Sequence, residues 1–210
     1  MFLGIDTSLA TAVAVVEADG YVVAEASSAD PLGHAEVIGD LLAQVDAAGI
    51  THVASGMGPG PFTGLRVGIA AARAFALGRD LPVVPVVSHD AVALGRLLDA
   101  AVTGAPDPGR FAVVTDARRR EFAFTVYEGL DDDGLPVRVT EPALTPRDDL
   151  DARVADLGAA RHDAASVPAA MIALAAARAV AAGRSIGPPE PLYLRSPDVT
   201  LGHTPKKVRT

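Results

Sequence analysis

Gly58-Pro59-Gly60-Pro61-Phe62-Thr63-Gly64-Leu65-Arg66-Val67-Gly68 is the stretch on which the reading of this chain turns. It follows a short apolar run at 53–57 that reads as a strand. It leads into a helical pattern over 63–77 that stops at Gly78. A stiff glycine-proline loop between strand and helix leaves backbone N–H groups pointing outward. Those amides and the helix dipole suit an anion, and glycine lets a ligand or another backbone come close. Thr63 is placed to cap the helix. Within the helix, Gly64, Gly68, Ala72 and Ala76 recur every four residues and form one stripe nearly bare of side chains. Leu65, Ile69 and Phe75 lie off the stripe. It suits packing on the chain's own sheet, or close approach by a foreign helix. The second alternative makes it an interface.

Upstream, apolar runs at 2–5, 12–16 and 21–26 are separated by Asp6-Thr7-Ser8 and by the turn signal Asp19-Gly20, which reads as an antiparallel three-strand meander. Asp6, Thr7 and Ser8 sit at the first strand's end. Hydroxyls and turn amides there can cradle phosphate oxygens, and an aspartate can hold a metal through water. The same three residues also make an ordinary hairpin turn that satisfies its own backbone. Over 35–48, Val37, Ile38, Leu41, Leu42 and Val45 repeat at helical spacing, and Gly49 is a stop.

Downstream, 83–87 reads as a strand and 88–98 as a helix capped by Ser88. The segment 103–109, with two prolines and two glycines, is the candidate domain boundary. Strands follow at 111–115 and 122–127 around the turn 117–120, and near 137–140 after the turn 131–134. A helix spans 167–182, Leu192–Leu194 is a short apolar stretch, and 196–210 is a loose tail. The order βββ-α-β-α-β-α, then a β-rich second half, gives mixed sheets with helices on them. The expected domains are 1–102, 103–195 and the tail 196–210.

Half of the 210 residues are apolar, enough for a substantial core, and no cysteine is present, which excludes disulfides and thiolate chemistry. The start lacks the pattern of a signal peptide, and the longest apolar stretches fall short of the roughly 20 residues a membrane span requires. A cytoplasmic protein that meets no membrane is expected. The net charge of −8 argues against this chain being a main RNA-binding surface, since phosphate contacts dominate such affinity. Positive charge concentrates in Arg118-Arg119-Arg120 and at Lys206-Lys207-Val208-Arg209.

The two motifs in this order resemble the TsaB (YeaZ) family of the actin/sugar-kinase superfamily. Ile5-Asp6-Thr7-Ser8 is similar to its opening strand and turn. Residues 58–68 are similar to its glycine-proline signature, with Pro61 where the family usually has serine. Leu81-Pro82-Val83-Val84-Pro85-Val86, Asp116-Ala117-Arg118 with Glu121, and Pro191-Leu192-Tyr193-Leu194-Arg195 also resemble family landmarks. The resemblance implies an α/β, actin-like, ribonuclease-H-like fold of two lobes with mixed sheets and flanking helices, the second lobe reduced. It implies a non-catalytic subunit for N6-threonylcarbamoyladenosine formation at position 37 of tRNAs reading codons that start with A. In that role it binds and activates a TsaD-like transferase, a TsaE-like ATPase joins, tRNA is met only through the complex, and a homodimer forms when TsaD is absent.

The implied partner interface comprises His34, Val37, Leu41, Leu42 and Val45 on one helix and Gly64, Leu65, Gly68, Ile69 and Ala72 on the other. Nucleotide or phosphate contact is assigned to Asp6, Thr7, Ser8, Gly58 and Gly60. No intrinsic cofactor or metal is expected, and the place left for ATP or ADP with magnesium is the partner interface.

The TsaD-like sister carries a His-x-x-x-His metal pair after the strand matching 83–87. Here Ser88 and Val92 fill those positions, and His89 stands about 100° around the helix from them. His89 therefore reads as a polar group at the surface or the helix start. No Gly-x-Ser-x-Gly elbow occurs. The alternatives are a sugar-kinase-like ATP-binding phosphotransferase and a glycoprotease-type metallopeptidase.

Overall fold

A computed structural model describes residues 1–30, 33–45 and 47–195. The expected tail 196–210, with the basic cluster at 206–209 and His203, lies outside the described residues. The meander is present: β1 (Phe2–Asp6), β2 (Thr11–Val16) and β3 (Val22–Ser28) pair antiparallel, with Ile5 opposite Val13 and Ala14 opposite Glu25. Then α1 (His34–Val45), β4 (His52–Gly56), α2 (Phe62–Arg79), β5 (Val83–Val86) and α3 (Ser88–Thr103) follow. β4 and β5 add in parallel beside β1, giving the sheet order β3-β2-β1-β4-β5.

The second half contains β6 (Arg110–Asp116), β7 (Glu121–Leu130), β8 (Pro136–Arg138), β9 (Ala143–Pro146), α4 (Leu150–Asp156), β10 (Ala160–Asp163) and α5 (Ala169–Ala181). Its sheet runs β10-β6-β7-β8, with β9 also on β7 and β10 parallel to β6.

Strand alternation sorts the cores. Side chains of successive strand residues point to opposite faces. On β1 and β2, Leu3, Ile5, Val13 and Val15 face α1 and α2, while Phe2, Ala14 and Val16 face the other way, toward α3 and α5. On β6, Phe111 and Val113 join that second core, whereas Ala112 and Val114 face α4. The layers are thus α1/α2, first sheet, α3/α5, second sheet, α4. Helices α3 and α5 lie between the two sheets.

This placement corrects the expected division at 103–109. α5 follows that segment in sequence, yet it packs on β1 and β2 of the first sheet. Nine of its thirteen residues are buried, six of them among the alanines from Ala169 to Ala177. A helix apolar all round belongs inside, and alanine lets it approach closely. Gly4 completes the contact: a Cβ there would lie 2.1 Å from the Ala169 carbonyl oxygen.

Helix ends differ in detail. Pro61 is the cap residue of α2, with φ −59° and no side-chain cap bond, so Thr63 lies in the first turn instead of capping it. Gly78 continues the helix; the stop is Asp80 at φ 53°, whose N–H reaches Ala76 and Leu77. Val87 precedes α3, and Ser88 is its first residue. That helix runs to Thr103, five residues beyond the expected end at 98, and closes on Gly104 at φ 68°.

Gly4→Ala should lower the unfolding free energy by about 2–3 kcal/mol, because backbone of a buried helix cannot step aside as a side-chain tip can. Urea denaturation checks this; an unchanged midpoint contradicts the packing.

Candidate functional site: the glycine-proline loop and the interlobe cleft

The β1–β2 turn is a hydrogen-bond knot. Asp6 Oδ1 accepts from the Ser8 amide at 2.7 Å. Its Oδ2 accepts from Ser88 Oγ at 2.6 Å and from Ser8 Oγ at 3.1 Å. Ser88 Oγ also accepts from the Gly58 amide at 3.0 Å, and the Ser88 amide donates to the Gly58 carbonyl at 2.8 Å. One carboxylate and two hydroxyls therefore join β1, the glycine-proline loop and the start of α3. Burial pushes the Asp6 carboxyl up to about 6 against the downward pull of these donors.

Thr7 makes the second tie. Its hydroxyl donates to the Gly64 carbonyl at 2.7 Å and accepts from the Gly68 amide at 3.1 Å, one helical turn apart. A Cβ on Gly68 would lie 2.2 Å from Thr7 Oγ1, so no other residue fits there without displacing the turn. Asp6, Thr7 and Ser8 are 1–2% exposed. Their polar atoms are engaged within the chain, which corrects the expectation of an open phosphate cradle at these residues. Gly58 is buried against Leu65, and Gly60 lies against Ser8.

The stripe faces inward. Gly64, Gly68, Ala72 and Ala76 are all buried, the first two against Thr7 and His34, the latter two in the core with Leu3, Ile5 and Val13. His34, Leu41 and Val45 are buried as well, Val37 and Leu42 are half-buried, and Leu65 and Ile69 close a small cluster with Met57. The interface expected from the stripe is therefore corrected: closest approach is spent on the chain's own β1–β2 turn. The exposed faces carry different residues. On α1 these include Ala35, Gly39 and Ala43; on α2, Ala70, Ala74 and Leu77, the last 86% exposed. These positions too recur at three- and four-residue spacing, so the sequence holds two small-residue faces on α2 and does not rank them.

His89 is fully buried, not at the surface. Because α3 starts between the sheets, its first turn meets β6 and β7. Thr125 and Thr115 hydroxyls each lie 2.9 Å from a ring nitrogen of His89. Burial, with the nearby Arg138 charge, depresses its pKa to about 3. Next to it, Asp90 accepts from Tyr127 at 2.7 Å and from Arg138 at 2.8 and 2.5 Å. Burial pushes the Asp90 carboxyl up while the guanidinium holds it down. No group of three His, Cys, Asp or Glu side chains able to hold a metal occurs among the described residues.

The landmarks near Asp116 and Tyr193 converge on one cavity of about 580 Å³ between the lobes. Pro61, Thr63, Gly64 and His34 form one wall, and Arg118 and Arg119 the other. Tyr193, Leu194 and Arg195 line the cavity as well. Leu192 donates to Met57 at 2.8 Å, Arg66 donates to the Tyr193 hydroxyl at 3.0 Å, and Arg195 pairs with Glu121. His34 was read as an interface residue; it belongs to the cavity.

The two buried titrations have opposite signs. A raised carboxyl favours the folded state fully below pH 3.8, and that contribution is lost as pH rises through about 6; for Asp6 it amounts to about 3 kcal/mol. A depressed imidazole contributes stability above pH 6.5 that is lost as pH falls toward 3, about 5 kcal/mol for His89. Urea midpoints between pH 7 and 4 should therefore fall more steeply for Asp6→Asn than for the parent and less steeply for His89→Gln. Parallel profiles for all three proteins contradict these burial assignments.

Comparison with known proteins agrees with this geometry. A family model described as tRNA N6-adenosine threonylcarbamoyltransferase (TsaD) matches residues 33–143, just over half of the chain. A Mycobacterium tuberculosis protein carried as uncharacterized is 36% identical over 216 residues, covering 93% of this chain and 92% of its own length. The tRNA threonylcarbamoyladenosine biosynthesis protein TsaB of Haemophilus influenzae is 50% identical over 52 residues, 25% of this chain and 20% of that protein. A Pseudomonas aeruginosa crystal structure described as similar to peptidase YeaZ superposes with a TM-score of 0.68 at 26% identity, covering 92% of this chain and 99% of the other. With its mixed sheets, its knotted β1–β2 turn and its glycine-proline loop, the chain belongs to the TsaB (YeaZ) family of the actin/sugar-kinase superfamily.

Proposed function

We propose that this chain serves N6-threonylcarbamoyladenosine formation in tRNA as the non-catalytic partner of a TsaD-like transferase. The observation that carries the reading is the outward face of the α1/α2 pair. Leu77 is 86% exposed there, among Ala70 and Ala74 of α2, with Ala35, Gly39 and Ala43 on α1. These small residues stand among exposed Glu36, Asp40, Arg66 and Arg73, and leave gaps between the longer side chains into which a second helix pair can fit. Family membership supplies the kind of partner, because the sister transferase shares the fold. The same face would serve a homodimer where the transferase is absent, a TsaE-like ATPase would join the pair, and tRNA, of the type reading codons that start with A, would be met through the complex. Any ATP or ADP with magnesium would then belong at the partner interface.

The non-catalytic part of the reading is supported by what the candidate chemical groups already do. Asp6, Ser8 and Ser88 are bonded to one another, and both nitrogens of His89 are held by threonine hydroxyls. No helix among the described residues is long and apolar enough to cross a membrane.

Two variants separate outward face from inward stripe. Ala74→Arg should fold with stability within about 0.5 kcal/mol of the parent and lose co-purification with the TsaD-like protein and stimulation of tRNA modification. Gly68→Val should lose stability itself, by about 2–3 kcal/mol. Normal complex formation by Ala74→Arg would sink the assignment of the face. Full tRNA modification by the transferase with this chain omitted would sink the proposed role.

A further inference from the structure

A second cavity, of about 410 Å³, shares no lining residue with the one at the glycine-proline loop. It lies where the start of α3, the β7–β8 hairpin and the chain after α5 meet, and three carboxylates and two guanidiniums line it. Its size is that of a small-molecule site. Arg138 is held rigidly there. Its Nε and Nη2 donate to the two oxygens of Asp90 at 2.8 and 2.5 Å, and Nη2 also donates to the Ile186 carbonyl at 2.7 Å. Asp90 is 4% exposed and accepts from the Tyr127 hydroxyl as well, so the carboxylate is anchored from two sides. A guanidinium gripped along one edge presents its remaining nitrogen away from that edge. That nitrogen, Nη1, pairs with the Glu141 carboxylate at 3.5 Å.

Glu141 is the loose member of the set. Its side chain is 81% exposed, and so long a pair on an exposed side chain contributes little to stability. Asp131, by contrast, is fully engaged. Its Oδ1 accepts from the Asp133 and Leu135 amides at 3.1 and 2.9 Å, and its Oδ2 accepts from Arg184 at 2.6 Å. Arg184 is shared with Asp133, also at 2.6 Å. Arg138 Nη1 and the Glu141 carboxylate are thus left side by side, each with hydrogen-bonding capacity to spare. The apolar part of the lining comes from Leu135, Pro136, Val137 and Ile186.

We infer that this cavity binds a free α-amino acid with an aliphatic side chain. Such a molecule carries a carboxylate and an ammonium on one carbon. Both can enter a gap where an arginine and a glutamate already stand 3.5 Å apart. The carboxylate takes Arg138 Nη1, the ammonium takes Glu141, and the side chain covers Val137 and Ile186. Two charge-assisted contacts then replace one loose ion pair. The lining selects for a zwitterion. Three acids against two arginines repel a simple anion, and Arg138 is already neutralised by Asp90. A simple amine would leave Nη1 unused. No residue of this site lies in the turn at Asp6-Thr7-Ser8 or on the outward α1/α2 face, so it stands or falls independently of the partner assignment.

Calorimetric titration of the full chain with leucine tests it. Isocaproate, which lacks the ammonium, and isoamylamine, which lacks the carboxylate, are separate arms. Leucine should bind with a Kd of about 1 mM or tighter, and each half-ligand should bind about tenfold more weakly or worse. Glu141→Gln, at an exposed position, should weaken leucine binding about tenfold through loss of a charge-assisted contact. Glu128→Gln, at an exposed position of β7 that pairs with Arg110, should leave it unchanged. The half-ligand arms use the parent chain, so they decide alone should Glu141→Gln fail to fold. Undetectable binding at about 10 mM leucine, binding of isocaproate or isoamylamine as tight as that of leucine, or full-strength binding by Glu141→Gln would each overturn the site.

Discussion

The hydroxyl of Thr7, set between the Gly64 carbonyl and the Gly68 amide, is the contact on which the rest of the structure depends. It fixes the rotation of α2 about its own axis. Once Gly64 and Gly68 must face the β1–β2 turn, Ala72 and Ala76 fall onto Leu3, Ile5 and Val13 in the next turns, since residues four apart share a face. Ala70, Ala74 and Leu77 are then turned to solvent. The glycines are needed because the turn comes too near for any side chain. The stretch 58–68 thus sets an internal docking geometry, and which residues of α2 turn to solvent follows from it.

The second constraint is electrostatic. Asp6, Ser88, His89 and Asp90 are polar groups held at a junction of β1, the glycine-proline loop, α3 and the second sheet, where water is excluded. Each is satisfied: Asp6 by Ser8 and Ser88, His89 by two threonines, Asp90 by Tyr127 and Arg138. A buried polar group without a partner costs free energy, and this network removes that cost while joining the two sheets. The groups most suggestive of chemistry in the sequence thus have their polar atoms engaged within the chain. Among the described residues, the buried side-chain atoms left without a hydrogen-bond partner are Ser55 Oγ and Arg96 Nε, neither of them in this network.

Much of the fold was legible. The meander, the helices over 34–45 and 62–79 and the buried alanine helix follow from periodicity and turn chemistry, because each buries a face with a clear repeat. What escaped has a physical reason. α4 buries only Leu150 and Val154, and β10 reads Ala-Arg-His-Asp, so neither carries enough apolar repeat to be seen. The burial of His89 escaped because it depends on α3 entering between two sheets, a tertiary fact. The direction of the α2 stripe escaped because small residues occupy both of its faces; only the partner of Gly68, a threonine 61 positions away, decides between them. The cavity at Arg118 and Arg119 escaped because its other wall, His34 and the start of α2, is brought there only by the fold.

The chain has no cysteine, so single introduced thiols report cleanly on which side of α2 is free. Maleimide labelling of Ala74→Cys and Ala72→Cys, each with and without the TsaD-like partner, tests the central claim most directly. The account predicts that Cys at 74 reacts rapidly in the free chain and is protected in the complex, while Cys at 72 reacts only on unfolding. Rapid labelling at 72 in the folded chain, or equal labelling at 74 with and without partner, would contradict it.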